Sequence, residues 1–157
     1  MHFRVKKGIG LESARVIIAE IGVNMSRFPS AGHLVSWAGL CPKLEESAGK
    51  HKSTRIKQGD HWLKTTLIQA SWAGVRCKSG YLPSRFRRLR VHRGGKKAVV
   101  ANAAFILKAI WNMLTKGEDF KDLGESYFEG RNREKHVARL KGQLERLGKT
   151  VVLSDAV

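Results

Sequence analysis

The sequence predicts an all-α protein with a compact helical core. Three observations support this class: apolar residues recur at helical spacing in several segments, glycine or polar capping residues bound those segments, and no alternating run is long enough to build a sheet. A short β-like run, Thr150-Val151-Val152-Leu153, cannot form a sheet alone. The length of 157 residues is that of one domain with a tail.

The first predicted helix, Leu11 to Ile21, has an apolar face at helical spacing and ends at Gly22. The turn before it, Gly8-Ile9-Gly10, is typical of a helix-hairpin-helix element, in which glycines let the backbone approach a phosphate at a helix N-terminus. A plain turn has the same pattern, so both interpretations remain open. Gly8 and Gly10 are therefore candidate DNA-binding residues.

A second, short helix is predicted from Ala31 to Ala38, with Ser30 as its N-cap and Gly39 as its stop. From Pro42 to Gly59 the chain is polar, basic and aperiodic. We expect an exposed loop there.

Three further segments complete the predicted core. Asp60 is a candidate cap for a helix that ends near Lys78, and a basic helical turn and a half, Arg85–Arg90, follows Pro83. Residues 92–97 are predicted to be a linker. The longest apolar segment, Ala98 to Leu114, has few charges and is the predicted core helix.

No apolar run approaches the roughly 20 residues of a membrane-spanning helix, and the N-terminus has no secretory apolar core. We therefore expect a cytoplasmic protein without a membrane partner.

Beyond Gly117 the composition changes to mixed charge, so the sequence divides into a domain over residues 1–117 and a charged helical tail over 118–157. Within the tail, residues 131–147 place four apolar side chains on one narrow face: Val137, Leu140, Leu144 and Leu147. Such a face is typical of an oligomerisation or docking helix rather than a core helix. We expect a C-terminal amphipathic helix and a homo-oligomer.

The charge balance predicts a polyanionic partner. The chain has 30 Lys and Arg against 13 Asp and Glu, a formal net charge of +17. Nucleic acid is the usual polyanion, because cations that neutralise phosphates release condensed counterions. An anionic membrane surface is the weaker alternative.

A basic cluster between residues 85 and 97 is the strongest local signal for phosphate contact, although a solvated basic face is the alternative. Ten of these thirteen residues are basic, glycine or histidine. We expect the cluster to contact the phosphate backbone of a nucleic acid, and it implies no base readout. Its candidate DNA-binding residues are Arg85, Arg87, Arg88, Arg90, Arg93, Lys96 and Lys97.

Ser47 lies in the predicted loop, where its hydroxyl could attack a phosphodiester while nearby groups bind the phosphate oxygens. Those groups are Gly49, Lys50, Lys52 and Arg55. Most loop serines are solvated or cap a turn, and Glu46 is a candidate base by adjacency alone. The residue pattern by itself leaves the role of Ser47 open.

The remaining chemistry-bearing residues indicate packing. Cys41 and Cys77 have no metal-ligand spacing with the histidines, so we expect no metal site and two buried free thiols. All four tryptophans lie on predicted helices, where core packing is favoured over base stacking: Trp37, Trp62, Trp72 and Trp111.

Taken in order, a set of short motifs resembles the IS one-ten insertion-sequence transposases. The motifs cover nearly the whole chain and centre on Glu46-Ser47-Ala48-Gly49-Lys50. The others are Gly8-Ile9-Gly10, Ala19–Gly22, Phe28–Ala31, Trp37–Pro42, Gly59, Trp62-Leu63, Arg93–Ala98, Leu123-Gly124, Tyr127-Phe128, Leu147-Gly148 and Val152-Leu153.

The resemblance implies a two-part recombinase, in which a RuvC-like domain binds magnesium through carboxylates and a C-terminal domain supplies a serine that attacks DNA. Ser47 matches that serine. The resemblance also implies a guide RNA and an oligomer. This chain shows no acidic domain of that kind, so we expect no cofactor in it, magnesium in the absent domain, and DNA binding without cleavage by the chain alone. It also has Lys7 and Lys149 where a proline and an aromatic residue are common.

Two other functions remain open on the sequence. A non-catalytic helix-hairpin-helix DNA-binding module would need no serine chemistry, and coding sequence for an acidic domain upstream of Met1 would argue against it. A ribosome-associated basic protein explains the charge but not the Ser47 motif.

Overall fold

The computed structural model describes residues 9–43, 45–48, 50–53, 55–56, 61–125 and 127–149, with side-chain positions for all of these except 45–47, 50–53, 61 and 129–136. Most of the described chain is helical, which confirms the predicted class. The helices are α1 (Leu11–Ile21), α2 (Ala31–Trp37), α3 (His61–Val75), α4 (Tyr81–Arg93), α5 (Gly95–Lys116) and α6 (Tyr127–Arg146).

Two small elements were not predicted from the sequence. A 3₁₀ turn, Met25–Arg27, joins α1 to α2. A two-stranded antiparallel hairpin of β1 (Glu45–Ser47) and β2 (Lys50–Ser53) lies between α2 and α3. The predicted loop is therefore partly a hairpin, which the sequence does not reveal because neither short strand contains an apolar residue.

Helix α5 is the centre of the fold. Its eight buried residues recur at helical spacing: Ala98, Val99, Asn102, Ala103, Ile106, Leu107, Ile110 and Met113. Helices α2, α3 and α4 pack against it, and α1 packs on α3. The predicted core helix is confirmed, with bounds slightly wider than the apolar segment.

By length and composition α5 could also cross a membrane, contrary to the expectation that no segment was long enough. The core helix of a globular fold meets the same criteria, because it too is apolar on most sides. In this structure α5 has that central position, with three helices packed on it.

Two fully buried polar side chains join the neighbouring helices to α5. The Ser71 hydroxyl of α3 donates to the Val99 carbonyl oxygen at 3.0 Å, and Asn102 Nδ2 donates to the Leu82 carbonyl oxygen of α4 at 3.1 Å. A buried donor without a partner costs about 1–3 kcal/mol, so other registers of these helices are disfavoured.

The predicted ends of the first two helices agree with the structure. Gly22 ends α1 with a positive φ of 71°, and Ser30 Oγ caps α2 by accepting from the His33 amide at 3.4 Å. Leu11 differs from the predicted apolar face, since it is exposed. Asp60, the predicted cap of α3, lies outside the described residues, as does the run Thr150–Leu153.

The predicted linker at residues 92–97 is wrong. Helix α4 continues to Arg93, and α5 begins at Gly95, so one residue connects them. That residue, Gly94, has φ 78° and ψ 163°, a conformation available essentially to glycine alone. The two glycines made this stretch resemble a flexible linker, whereas one makes the turn and the other begins a helix.

Helix α6 is joined to the core through its first turn. The rings of Tyr127 and Phe128 lie 5.4 and 5.0 Å from the ring of Tyr81, and Asp122 Oδ1 accepts from the Tyr81 amide at 3.0 Å. On the predicted narrow face, Leu140 and Leu144 of α6 are exposed, as is Leu147 directly after the helix, and Val137 is half-buried. The boundary near residue 117 stays a prediction.

We predict opposite effects from alanine at the two glycines of the α4–α5 turn. Gly94→Ala should lower the free energy of unfolding by roughly 1–3 kcal/mol, because alanine is strained at this φ and ψ. Gly95→Ala should change it by at most about 1 kcal/mol, in the stabilising direction, because Gly95 is helical and a Cβ there meets open space. Urea denaturation measures both; equal losses would contradict the assigned turn.

Candidate nucleic-acid interface

Helices α3, α4 and α5 carry an unbalanced positive charge. Between Asp60 and Glu118 the sequence has twelve Lys and Arg residues and no Asp or Glu. The cations of these helices therefore have no carboxylate within their own segment. Any internal counter-ion must come from another part of the fold.

Four of the predicted DNA-binding residues surround the α4–α5 turn. Arg90 and Arg93 end α4, and Lys96 and Lys97 lie in the first turn of α5. All four are exposed, and within the described part of the chain none of their side chains makes a hydrogen bond or an ion pair. The turn thus brings four cations together without a described counter-ion.

The N-terminus of α5 adds to this positive potential. Its N-cap, Gly94, provides no side-chain hydrogen bond, and its first turn contains no acidic residue. The amides of the first turn and the helix dipole both favour an anion at that end. Lys96 and Lys97 are repelled by the positive end of the helix dipole, and an external anion bound there would offset this unfavourable interaction.

The other three arginines of the cluster contact the protein itself. The Arg85 guanidinium carbon lies 5.1 Å from the centre of the Phe105 ring, and that of Arg88 lies 5.3 Å from the Phe128 ring. Arg87 donates to Ser84 Oγ at 3.2 Å and forms an ion pair with Glu125. These arginines link α4 to α5 and to the start of α6, while Arg87 and Arg88 remain exposed.

The candidate serine ends a strand at the tip of the hairpin. Ser47 pairs with Lys50 in the antiparallel register, and Ala48 begins the turn that follows Ser47. Ala48 has φ +50°, the left-handed backbone that such turns require. At the base of the hairpin the Lys43 amide donates to the Arg55 carbonyl oxygen at 2.7 Å.

The structure positions the backbone of Ser47, Lys50 and Lys52, and their side chains are among those not described. Gly49 lies outside the described residues, and the Arg55 side chain is exposed. The roles of these residues at the tip stay predictions.

The predicted helix-hairpin-helix element is described only from its turn onward. Gly8 and the residues before it lie outside the described part, so the first helix of such an element is not tested. Gly10 is the N-cap of α1 with φ −78°, and no atom lies within 4 Å of a Cβ placed there. The described fold therefore gives no steric reason for a glycine at this position.

The prediction that all four tryptophans pack in the core is wrong. Trp62 is 72% exposed, and Trp37 and Trp72 are each close to 40% exposed. Trp111 is half-buried, and its Nε1 donates to the Phe28 carbonyl oxygen at 3.1 Å. A sequence signal for this exposure was present, because the two tryptophans share a helical face with polar residues: Thr65, Gln69 and Arg76.

Both cysteines are free and half-buried, somewhat more accessible than the expected buried thiols. Among the described residues, no three His, Cys, Asp or Glu side chains lie together in a group that could hold a metal ion.

The fold and the surface define a class of protein: a basic helical domain whose exposed cations converge on a helix N-terminus and suit a phosphate-bearing partner. Comparison with known proteins identifies the family. Residues 3–87 match the family described as Transposase IS116/IS110/IS902. The chain belongs to this transposase family, as its motifs indicated.

Two relatives agree with this membership. The chain is 30% identical over 114 residues to a Pseudomonas aeruginosa protein described as a probable family 20 transposase, in an alignment covering 70% of this chain and 33% of the relative. It is 33% identical over 118 residues to a transposase of Sinorhizobium fredii, y4rJ, covering 71% of this chain and 29% of the relative. The alignments thus span about a third of each relative's length. No solved structure matches the chain.

Proposed function

We propose that this chain is the DNA-processing domain of an insertion-sequence transposase, which binds duplex DNA electrostatically and supplies Ser47 for strand cleavage. Family membership supports a role in transposition. The main support for DNA binding is the α4–α5 turn. There four exposed cations lie next to the N-terminus of a long helix that has no side-chain cap: Arg90, Arg93, Lys96 and Lys97.

Two properties of the turn favour a duplex backbone as its ligand. Its cations have no described counter-ion, so binding a phosphate breaks no internal ion pair among the described residues. Helix amides and cations contact phosphates without reading bases, so the turn would position the protein on DNA of any sequence.

We predict that duplex affinity falls steeply with salt. If about six phosphates are contacted, a plot of log affinity against log salt concentration should have a slope of roughly −5. In the double variant Arg90→Gln/Arg93→Gln the magnitude of the slope should fall by about 2, because each phosphate contact contributes about one unit. Fluorescence anisotropy with a labelled duplex over a salt series measures both values.

A matched control removes the same charge elsewhere. Arg15→Gln/Lys141→Gln lies on α1 and α6, where both cations are paired with glutamates of their own helix. It should change the slope much less. Glu125→Gln should strengthen binding, because it releases Arg87 from its ion pair. A salt-independent affinity, or equal effects of the two double variants, would contradict the proposal.

The proposed chemistry at Ser47 is a transesterification. Its Oγ forms a bond to a DNA phosphorus, the bond from that phosphorus to one deoxyribose oxygen breaks, and the serine proton ends on the leaving hydroxyl. The backbone position of Ser47 at the end of a strand, next to the hairpin turn, supports this role. Magnesium and its carboxylates belong, in this proposal, to a RuvC-like domain in the part of the relatives that this chain does not cover.

We predict that Ser47→Ala abolishes the covalent protein–DNA adduct when the chain is joined to a RuvC-like transposase domain. Duplex affinity should remain nearly unchanged, because the variant removes one oxygen and no charge. Denaturing electrophoresis with labelled DNA detects the adduct. Ser53→Ala, at the end of β2, is the control and should retain it. An undiminished adduct in Ser47→Ala would contradict the assignment of Ser47 as the nucleophile and would favour a non-catalytic DNA-binding module.

The proposal also includes a homo-oligomer formed through α6. Leu140 and Leu144 are 43% and 42% exposed, and Leu147 is 75% exposed, although all three lie on one apolar face. Their spacing of four and three residues is that of a coiled-coil seam. A guide RNA and a cytoplasmic location are further parts of the proposal, supported by the resemblance and the family alone.

We predict that Leu140→Lys/Leu144→Lys lowers the mass measured by light scattering, because two lysines on the seam repel their counterparts in a second copy. Arg139→Lys/Gln143→Lys adds lysines off the seam and should leave the mass unchanged. If the leucine variant has the same mass as the parent protein, the protein does not associate through α6.

A further inference from the structure

Helix α3 has an exposed face unlike that of an ordinary solvated helix. Five exposed residues among the described side chains of α3, together with Arg76 directly after the helix, fall within about a third of the helix circumference: Trp62, Thr65, Gln69, Trp72, Ala73 and Arg76. The opposite face, with Leu63, Leu67 and Ala70, is fully buried. The two tryptophans lie about 15 Å apart along the axis, given the rise per residue.

The exposure of these two indoles is the unusual feature. Tryptophan is a highly buried residue on average, and two on one face create an apolar aromatic surface in contact with water. The face contains no carboxylate, and none occurs in the sequence between Asp60 and Glu118. Its occupant therefore combines planar apolar groups with negative charge. A second copy of this chain, with its net charge of +17, lacks that complementarity.

We propose that the exposed face of α3 binds a separated DNA strand, whose unpaired bases stack on Trp62 and Trp72 while Arg76 binds its phosphates. This inference rests on the proposed function and adds a second DNA-binding surface to it. In a duplex each base is stacked inside the helix and shows only its edges, whereas unpaired bases expose flat apolar surfaces that indole rings cover.

The fold positions the ring of Trp72. Trp72 packs against Phe86 of α4 with ring centres 6.0 Å apart and an interplanar angle of 58°, and Phe86 is itself buried against α5. A ring that is ordered by folding loses less conformational entropy when a base stacks on it. Thr65 and Gln69 lie between the tryptophans and can donate to phosphate or base oxygens without adding negative charge.

The test compares single-stranded and duplex affinity in tryptophan variants of the full chain. Trp62→Ala and Trp72→Ala should each weaken binding to oligothymidylate by about tenfold, the usual effect of losing one stacked base. Affinity for a duplex with the same number of phosphates should change less than about twofold. Trp62→Phe should retain most of the affinity, since a phenyl ring also stacks. Oligothymidylate should quench the tryptophan fluorescence of the parent protein.

Two controls separate stacking from loss of structure. Val91→Ala removes an apolar side chain that is 80% exposed on α4 and should affect neither ligand. Thermal unfolding followed by circular dichroism identifies a variant that has lost its fold, and for Trp72 the Trp72→Phe variant, which keeps a ring against Phe86, then replaces alanine and should lose less than threefold.

Four outcomes would overturn the inference while leaving salt-dependent duplex binding in place. The tryptophan variants could lose single-strand and duplex affinity equally, or lose neither. They could also lose affinity for oligouridylate but not for oligothymidylate. Finally, light scattering could give Trp62→Ala a lower mass than the parent protein, which would assign the face to a second copy. Absence of salt-dependent duplex binding in the parent protein would instead contradict the proposed function.

Discussion

Helix α5 has apolar side chains on so much of its circumference that three other helices must cover it, and the arrangement of the molecule follows from this requirement. The Ser71 and Asn102 hydrogen bonds then select one register for α3 and α4 from the many that hydrophobic burial alone would allow. Because α4 reaches α5 through the single residue Gly94, the cations at the end of one helix lie beside those at the start of the next.

The same packing divides the basic cluster into two groups. Arg85 lies over a ring of α5, whereas Arg88 lies over a ring of α6 and Arg87 pairs with Glu125, so these arginines help to hold α4 against α5 and against the start of α6. A guanidinium lying over an aromatic ring keeps its charge and is attracted electrostatically to the face of the ring. The cations of the α4–α5 turn have no such partner among the described residues, which makes them the ones available to an external phosphate. One run of basic residues thus supports two different tasks.

How much could be predicted from the sequence depended on whether a feature was local. The bounds of α1, the Ser30 cap and the core segment of α5 were predicted correctly because capping chemistry and helical periodicity act within a few residues. The hairpin around Ser47 was missed, since its strands are short and polar and lack the alternation that identifies a half-buried strand. The residues 92–97 were misassigned because composition does not distinguish a glycine that begins a helix from one that turns the chain.

Residue type and spacing alone specify the helical class, the family, the excess of positive charge and the position of Ser47 in its motif. Helix packing then decided which cations contact the protein and which face solvent, since Glu125 and Phe128 reach α4 from far along the chain. It also decided that Trp62 and Trp72 face outward. A helical period places residues on a common face, but only the packing partners of α3 determine which face is buried.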